Sequence, residues 1–187
     1  AVRFLVLPDA LVMAPPPALT DTLLATTQPD AIIVQGDTLS ALAGAQTAFY
    51  RRIPVAHIEA GLRSGAMDNP WPEEANRRCI AAMSRWHFAP TTNAAAALVR
   101  EGIPNDAVHI SGNTVIDALH WTLQQIRERP GLTPFANQIA ASSRSKRIIG
   151  VTLHRRESWG SALAEIAQAL RTLALRDDVH LVLPLHP

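Results

Sequence analysis

Short apolar or β-branched runs alternate along this chain with Ala/Leu-rich stretches of helical period. "DAIIVQGDT" leads into "LSALAGAQTAFYRR", "PVAHIEAG" into a polar loop and then "PEEANRRCIAAMSRW", and "HFAPT" into "TNAAAALVREG". "VHISGNT" precedes "VIDALHWTLQQIRER", and "RIIGVTLHRRES" precedes "SALAEIAQALRTLALR", after which "VHLVLPLHP" closes the sequence. Strand, polar cluster and helix in repeated succession are the rhythm of βα units. Runs such as "AIIVQ" and "RIIGVT" are continuous rather than alternating, which predicts parallel strands covered by helices on both faces, a doubly wound α/β sheet of Rossmann-like type. The opening "AVRFLVLPDALVMAPPP" is broken by Pro8 and Asp9 before any cleavage pattern and is read as a buried strand.

The period weakens in "RPGLTPFANQIAASSRSK", where prolines and serines gather. This predicts a linker over residues 131–146, an N-terminal Rossmann-like domain over 1–130, and the first β-α-β unit of a second such domain over 147–187. A lone β-α-β unit cannot bury both faces of its sheet, so the second domain is expected to be truncated.

Composition narrows the function classes. With 187 residues, 48% of them hydrophobic and 18% charged, and a net charge of +1, the chain is no disordered tail and carries no electrostatic footprint for nucleic acid or an acidic membrane. A small-molecule or protein partner is expected. The single cysteine, Cys79, excludes an intramolecular disulfide and is read as a helix filler. Histidines 57, 87, 109, 120, 154, 180 and 186 lack the spacing of a structural zinc site, and no H-E-x-x-H occurs, so no metal is expected. No G-x-G-x-x-G or Walker loop supports a dinucleotide or ATP, and no apolar run is long enough to span a bilayer.

In open parallel sheets, ligands bind beyond the carboxyl ends of the strands, where loops and helix N-termini converge. That rule selects Asp37 after "AIIVQG", Glu59 after "VAHI", Asn113 after "HISG" and His154 after "IIGVTL". Asp37-Thr38 reads equally well as a helix cap, and for Asn113-Thr114 the cap is the stronger reading. A carboxylate ending a buried strand costs desolvation unless it is paired or used, which favours a functional Glu59. His57, two residues earlier on the same strand face, fits structural and active-site roles equally.

In "PWPEEANRR", Pro72 suits a first helical turn and the dipole there favours Glu73 and Glu74. Glu73 with Arg77 and Glu74 with Arg78 form i,i+4 pairs, each worth roughly 0.2–0.5 kcal/mol. Spacing alone therefore reads both acids as a salt-bridged surface, although Trp71 between two prolines predicts a packed, rigid helix start that would hold Glu73 still. "HRRES" places His154 and Arg155 where a phosphate or diphosphate could bind; a solvated strand exit explains them equally well.

Taken together, "VQGDT", "VAHIEAGLRSG", "PWPEEANRR", "HFAPT", "SGNTVIDAL" and "VTLHRRES" resemble the non-hydrolysing UDP-N-acetylglucosamine 2-epimerases, in that family's order and at comparable spacing. The resemblance runs from about residue 29 to the end and covers about half of a family member. It implies two Rossmann-like domains in the glycosyltransferase-B arrangement and interconversion of UDP-N-acetylglucosamine with UDP-N-acetylmannosamine. The implied route eliminates UDP and adds it back with C2 inverted, through a 2-acetamidoglucal, with no redox cofactor.

Carried over by position, the resemblance assigns catalytic roles to Asp37, Glu59, Glu73 and His154. It assigns substrate contacts to Arg63, Asn113 and Arg155, with His186 in "PLHP" as a further candidate. It also implies a cytoplasmic enzyme, homodimeric at full length, that serves nucleotide-sugar supply for surface polysaccharide and has no nucleic-acid or membrane partner. The family's "GTRPE" loop has a poor counterpart here, with Leu7 in place of its arginine, and its Ser-Gly-Gly segment is absent. A partial chain is therefore expected, with catalytic residues present and part of the binding apparatus missing. The competing readings are a hydrolysing epimerase that releases UDP and free N-acetylmannosamine, and a non-catalytic remnant.

Overall fold

The structure is a computed structural model that describes residues 3–6, 17–143, 145–153 and 160–184. It divides into two compact units, Ala1–His120 and Trp121–Pro187.

In the first unit the elements run β1 (Phe4–Val6), α1 (Pro17–Thr27), β2 (Ala31–Gln35), α2 (Leu39–Tyr50), β3 (Val55–Ile58), α3 (Glu73–Met83), β4 (Trp86–Ala89), α4 (Thr92–Arg100) and β5 (Val108–Ile110). The start of α5 (Thr114–Glu128) follows, and the division between the units falls within this helix. The five strands form one parallel sheet in the order β1-β2-β3-β4-β5. The predicted parallel α/β architecture is what the chain adopts.

Side-chain alternation assigns the two faces. Ile32 and Val34 of β2 and Val55 of β3 pack with Leu24 of α1, Ala41, Ala45 and Ala48 of α2 and Ile80 of α3. On the same face, Ala89 of β4 packs with Ala81 of α3 and with Ala94 and Leu98 of α4. These helices can lie this close because their inward residues are mostly alanine. The opposite face carries Ile33, Ile58, Trp86 and Phe88, all partly exposed.

The expectation of helices on both faces is corrected in its balance: α1 to α4 all cover one face, and among the described residues the other is met by the start of α5, where Thr114 accepts from Gln35 and lines a cavity with Ile33, Ala56, Ile58 and Phe88. The reason is topological. Each parallel strand is added on the same side of the last, and crossovers of one hand that always advance in one direction place every helix on the same face; covering the other requires the strand order to reverse. The opening strand is likewise an edge rather than a buried strand. Leu5 packs against the core but Val6 is exposed.

In the second unit, the stretch read as a linker carries a short 3-10 turn (Pro130–Leu132) and α6 (Pro134–Ser142). Beyond it, β6 (Arg147–Gly150) pairs in parallel with β7 (Val179–Val182), joined through α7 (Ser161–Ala174). Asp178 ties this unit's turns by pairing with both Arg147 and Arg176. Ile148, Leu163 and Leu183 remain exposed, as a lone β-α-β unit requires. No described helix in either unit is long and apolar enough to cross a membrane.

One glycine fixes how closely the loop after β3 approaches α4. Gly61 has φ of 85°, and a Cβ placed there would lie 2.2 Å from the Ala94 carbonyl oxygen. Gly61→Ala combines left-handed strain with a backbone clash, and is expected to destabilise the fold by about 2–4 kcal/mol. A urea-unfolding comparison with wild type measures this, and an unchanged midpoint would show that the approach is not close.

Candidate active site

The parallel register of β2 and β3 sets the site's base. Val34 lies beside His57 and Gln35 beside Ile58, so both strands end at the same edge. After β2 the chain turns through Gly36, whose φ of 72° suits a residue without Cβ. Strand β3 holds this residue from both sides: the Gly36 N–H donates to the Ile58 carbonyl at 3.1 Å, and the ring of His57 donates from Nε2 to the Gly36 carbonyl at 2.8 Å.

The next residue is Asp37. It is Thr38 that caps α2, its hydroxyl accepting the Ala41 N–H, so the Asp37 carboxylate is not spent on capping. Arg77 of α3 grips that carboxylate instead, with Nε at 2.7 Å and Nη2 at 2.6 Å from the same oxygen, Oδ2. Asn76, adjacent on α3, donates from Nδ2 to the Asp37 backbone carbonyl at 2.7 Å.

Glu59 follows β3 with φ of 65°, a left-handed conformation uncommon for a residue with a side chain. The turn redirects its carboxylate: a Cβ placed on Gly36 would lie 3.9 Å from Glu59 Oε2, so this carboxylate sits over the peptide that leads into Asp37. Glu59 and His57 consequently do not share the extended-strand geometry expected of them. His57 faces the helical side, with no exposed surface.

Burial pushes the His57 pKa down to about 4, so the ring is neutral near pH 7. Its bond to a carbonyl requires the proton on Nε2, leaving Nδ1 as an acceptor with no partner among the described residues. The histidine therefore supports the loop that carries Asp37. His87, its neighbour in register on β4, is buried and lowered in the same direction by desolvation.

The two glutamates that start α3 differ sharply. Glu74 has no exposed surface. Its carboxylate accepts the Ser64 N–H at 3.0 Å and Arg78 Nε at 3.2 Å, and lies 3.5 Å from Arg77 Nη1. Burial pushes its carboxyl up, but the Ser64 N–H and the guanidinium groups of Arg78 and Arg63 outweigh that and hold it below the usual carboxylate range. Glu73 is half-buried and makes no hydrogen bond or ion pair with any described residue. Of the two i,i+4 pairs expected from spacing, Glu74–Arg78 forms; Glu73–Arg77 does not, because Arg77 turns to Asp37. Trp71 is 66% exposed and so does not supply the packed helix start predicted for it.

Arg63 bonds to Glu101 through Nε at 2.8 Å and Nη2 at 2.7 Å, while Nη1 donates to the Leu62 carbonyl. This fastens the loop after β3 to the end of α4, and a substrate at Arg63 would have to compete with that pair. Asn113 Oδ1 accepts the Val115 N–H, the cap that its sequence position favoured. His154, Arg155 and His186 lie outside the described residues. Asp37, Glu59 and Glu73 thus stand at the carboxyl edge of the sheet, on two strand ends and the helix that clamps one of them. Sequence reasoning missed the buried Glu74, the Arg77 clamp and the left-handed Glu59; the run of two acids followed by Ala-Asn-Arg-Arg was the available signal for the first two.

A family model for UDP-N-acetylglucosamine 2-epimerase matches residues 18–187. The UDP-N-acetylglucosamine 2-epimerase of Salmonella typhimurium is 44% identical over 166 residues, which cover 88% of this chain and 44% of that protein. This chain belongs to the UDP-N-acetylglucosamine 2-epimerase family. The Escherichia coli K12 member is 43% identical over 169 residues, again 88% of this chain and 44% of its own length. Among solved structures, the Neisseria meningitidis UDP-GlcNAc 2-epimerase bound to UDP-GlcNAc matches with a TM-score of 0.83 and 37% identity, over 94% of this chain and 50% of that one. The Methanocaldococcus jannaschii enzyme in complex with UDP-GlcNAc and UDP matches at 0.72 and 34%, over 91% and 46%. The chain thus spans about half the length of the family members it matches.

Two outcomes follow for stability in this family member. A His57 pKa of about 4 in the fold against 6.5 unfolded means that the unfolded chain binds the extra proton between those values, so stability rises with pH across that window. His57→Gln should remove about 3 kcal/mol of that pH dependence, read as a flatter plot of unfolding free energy between pH 6.5 and 4; an unaltered slope would show that His57 titrates normally. At position 59, Glu59→Gly should be more stable than Glu59→Ala by about 1 kcal/mol, because only glycine relieves the left-handed turn. Equal denaturation midpoints for the two would remove the claim of strain.

Proposed function

We propose that this chain carries the carboxylate centre of a non-hydrolysing UDP-N-acetylglucosamine 2-epimerase, and that its full-length protein interconverts UDP-N-acetylglucosamine and UDP-N-acetylmannosamine. The observation that carries this reading is the convergence of Asp37, Glu59 and Glu73 at one sheet edge, with the Arg77 clamp confined to a single oxygen of Asp37. Oδ1 of Asp37 makes no hydrogen bond with any described residue and is left to meet a reactant. The family assignment and the UDP-GlcNAc bound by the Neisseria structure supply the substrate class.

Inversion at C2 needs proton transfer on both faces of the ring. One carboxylate takes the C2 proton; the C–H electrons become the C1–C2 double bond, and the C1–O bond breaks with its electron pair leaving on the UDP diphosphate. A second acid delivers a proton to the opposite face of C2 as the diphosphate oxygen returns to C1. Atoms and charge balance without an oxidant or a metal, and general acid–base groups of this kind typically contribute 10²–10⁴-fold each. His154 and Arg155 are proposed to assist departure of the diphosphate, His154 as acid and Arg155 as its counter-charge. In this reading the full-length protein is a cytoplasmic homodimer.

The test is solvent exchange. In heavy water, the full-length protein should introduce deuterium at sugar C2 while bringing the two UDP-sugars to equilibrium, both followed by NMR. Asp37→Asn, Glu59→Gln and Glu73→Gln should each slow exchange by at least about 10²-fold. Irreversible accumulation of free N-acetylmannosamine would replace this reading with the hydrolysing one, and a folded wild-type protein giving neither exchange nor product would end the epimerase reading.

A further inference from the structure

We infer that Glu74 is a positioning residue for Asp37, acting through Arg77; the catalytic sense of this rests on the epimerase reading above, while its structural sense does not. Spacing alone made Glu74 half of an ordinary surface ion pair. Its burial says otherwise. A carboxylate with no exposed surface has no water to stabilise it and must be neutralised by fixed partners.

The partners divide its two oxygens. Oε1 meets Arg78 Nε at 3.2 Å. Oε2 accepts the Ser64 N–H at 3.0 Å and faces Arg77 Nη1 at 3.5 Å. A guanidinium is planar and rigid, so fixing one edge fixes the other. The opposite edge of Arg77, Nε and Nη2, is the one that closes on Asp37 Oδ2. Glu74 thereby sets the plane in which Asp37 is held, although no direct contact joins the two acids.

Two further bonds make this more than a chain of charges. Asn76 holds the backbone carbonyl of Asp37, so residue 37 is fixed to α3 through main chain and side chain together. The Ser64 N–H belongs to the loop that begins at Glu59. One buried carboxylate therefore fastens the loops of two catalytic acids to the helix that begins with the third. Because both Arg77 donors converge on Oδ2, this arrangement selects which oxygen of Asp37 is presented and leaves Oδ1 to the substrate.

The expected signature is loss of turnover with retained binding. Glu74→Gln keeps the shape and can still accept the Ser64 N–H, but loses the charge that orients Arg77. In the full-length protein it should lower kcat for C2 exchange about 10–100-fold with KM within about 3-fold of wild type. Arg77→Lys, which cannot supply two edges, should do the same, and the double variant should lose no more than the worse single one, because the two act in series. Losses that multiply, or a Glu74→Gln kcat within about twofold of wild type, would overturn the inference.

A second readout does not need activity. The Arg77 Nε–H, assigned by its disappearance in Arg77→Lys, should exchange slowly with water in the wild type and at least about tenfold faster in Glu74→Gln, with the fold retained. Unchanged exchange would show that Glu74 does not hold Arg77. Should Glu74→Gln fail to fold, Glu74→Asp, which retains charge but falls one methylene short of Arg77, gives the same two arms. An inactive wild type would sink the epimerase reading alone, and the resonance would still decide the positioning role.

Discussion

A carboxylate sealed from water constrains everything within reach of it, and in this chain that carboxylate is Glu74. Its charge is met by the Ser64 N–H, Arg78 and the field of Arg63, and the near edge of Arg77 faces it at 3.5 Å. Each brings another element with it: Ser64 the loop after β3, Arg77 the residue after β2. The loops at the sheet edge are thus tied to α3 by charge in addition to the apolar packing of Ala60 and Leu62 around Ala81. A buried ion network of this kind contributes little net stability, because desolvation offsets most of the Coulomb gain, yet removing one member leaves the others uncompensated. Its value lies in specifying geometry.

The one-faced sheet explains why so few apolar side chains suffice to hold that geometry. Alanines at 41, 45 and 48 let α2 lie close on β2 and β3, and Ala81, Ala89 and Ala94 let α3 and α4 approach β4. Small residues bring the helix axes near the strands, so α3 reaches the strand ends with short side-chain bonds such as Asn76 to Asp37. Backbone bonds complete the frame: the Ala60 N–H donates to the Phe88 carbonyl and the Gly36 N–H to the Ile58 carbonyl, so each site loop is anchored on the next strand as it leaves its own.

Much of this was legible in the chain. The continuous apolar runs "AIIVQ" and "RIIGVT" marked β2 and β6 as parallel strands, and the strand-end rule selected Asp37 and Glu59 without reference to any relative. The one-sided covering was not legible, since a run such as "AIIVQ" looks the same whether its second face is covered or not, and strand order is not written in local pattern. Nor could spacing separate Glu73 from Glu74. Both have an arginine four residues on, and what separates them is the loop over residues 59–72 folding back so that Ser64 meets Glu74; that is a tertiary event. The competition for Arg77 is of the same kind, as Asp37 lies 40 residues away in sequence.

The left-handed turn at Glu59 shows how such a site can hold strain. A side chain in that conformation costs about 1–2 kcal/mol relative to glycine, and the chain keeps glutamate there while using glycine at 36 and 61, where the backbone turns just as sharply. The conformation is over-determined from both sides. Before Glu59, the Ile58 carbonyl is held by the Gly36 N–H and His57 is locked to the carbonyl of the same residue; after it, Ala60 is fully buried with its N–H on β4, and Gly61 abuts Ala94. With the residues around it fixed by hydrogen bonds and contact, position 59 has no extended alternative that preserves its neighbours. The turn carries the carboxylate out of the strand's alternating pattern, which would otherwise point it along one sheet face, and places it above the Gly36 peptide beside Asp37. A glycine would relieve the strain and remove the acid, so what the turn holds at the sheet edge is a carboxylate, at a cost to the backbone.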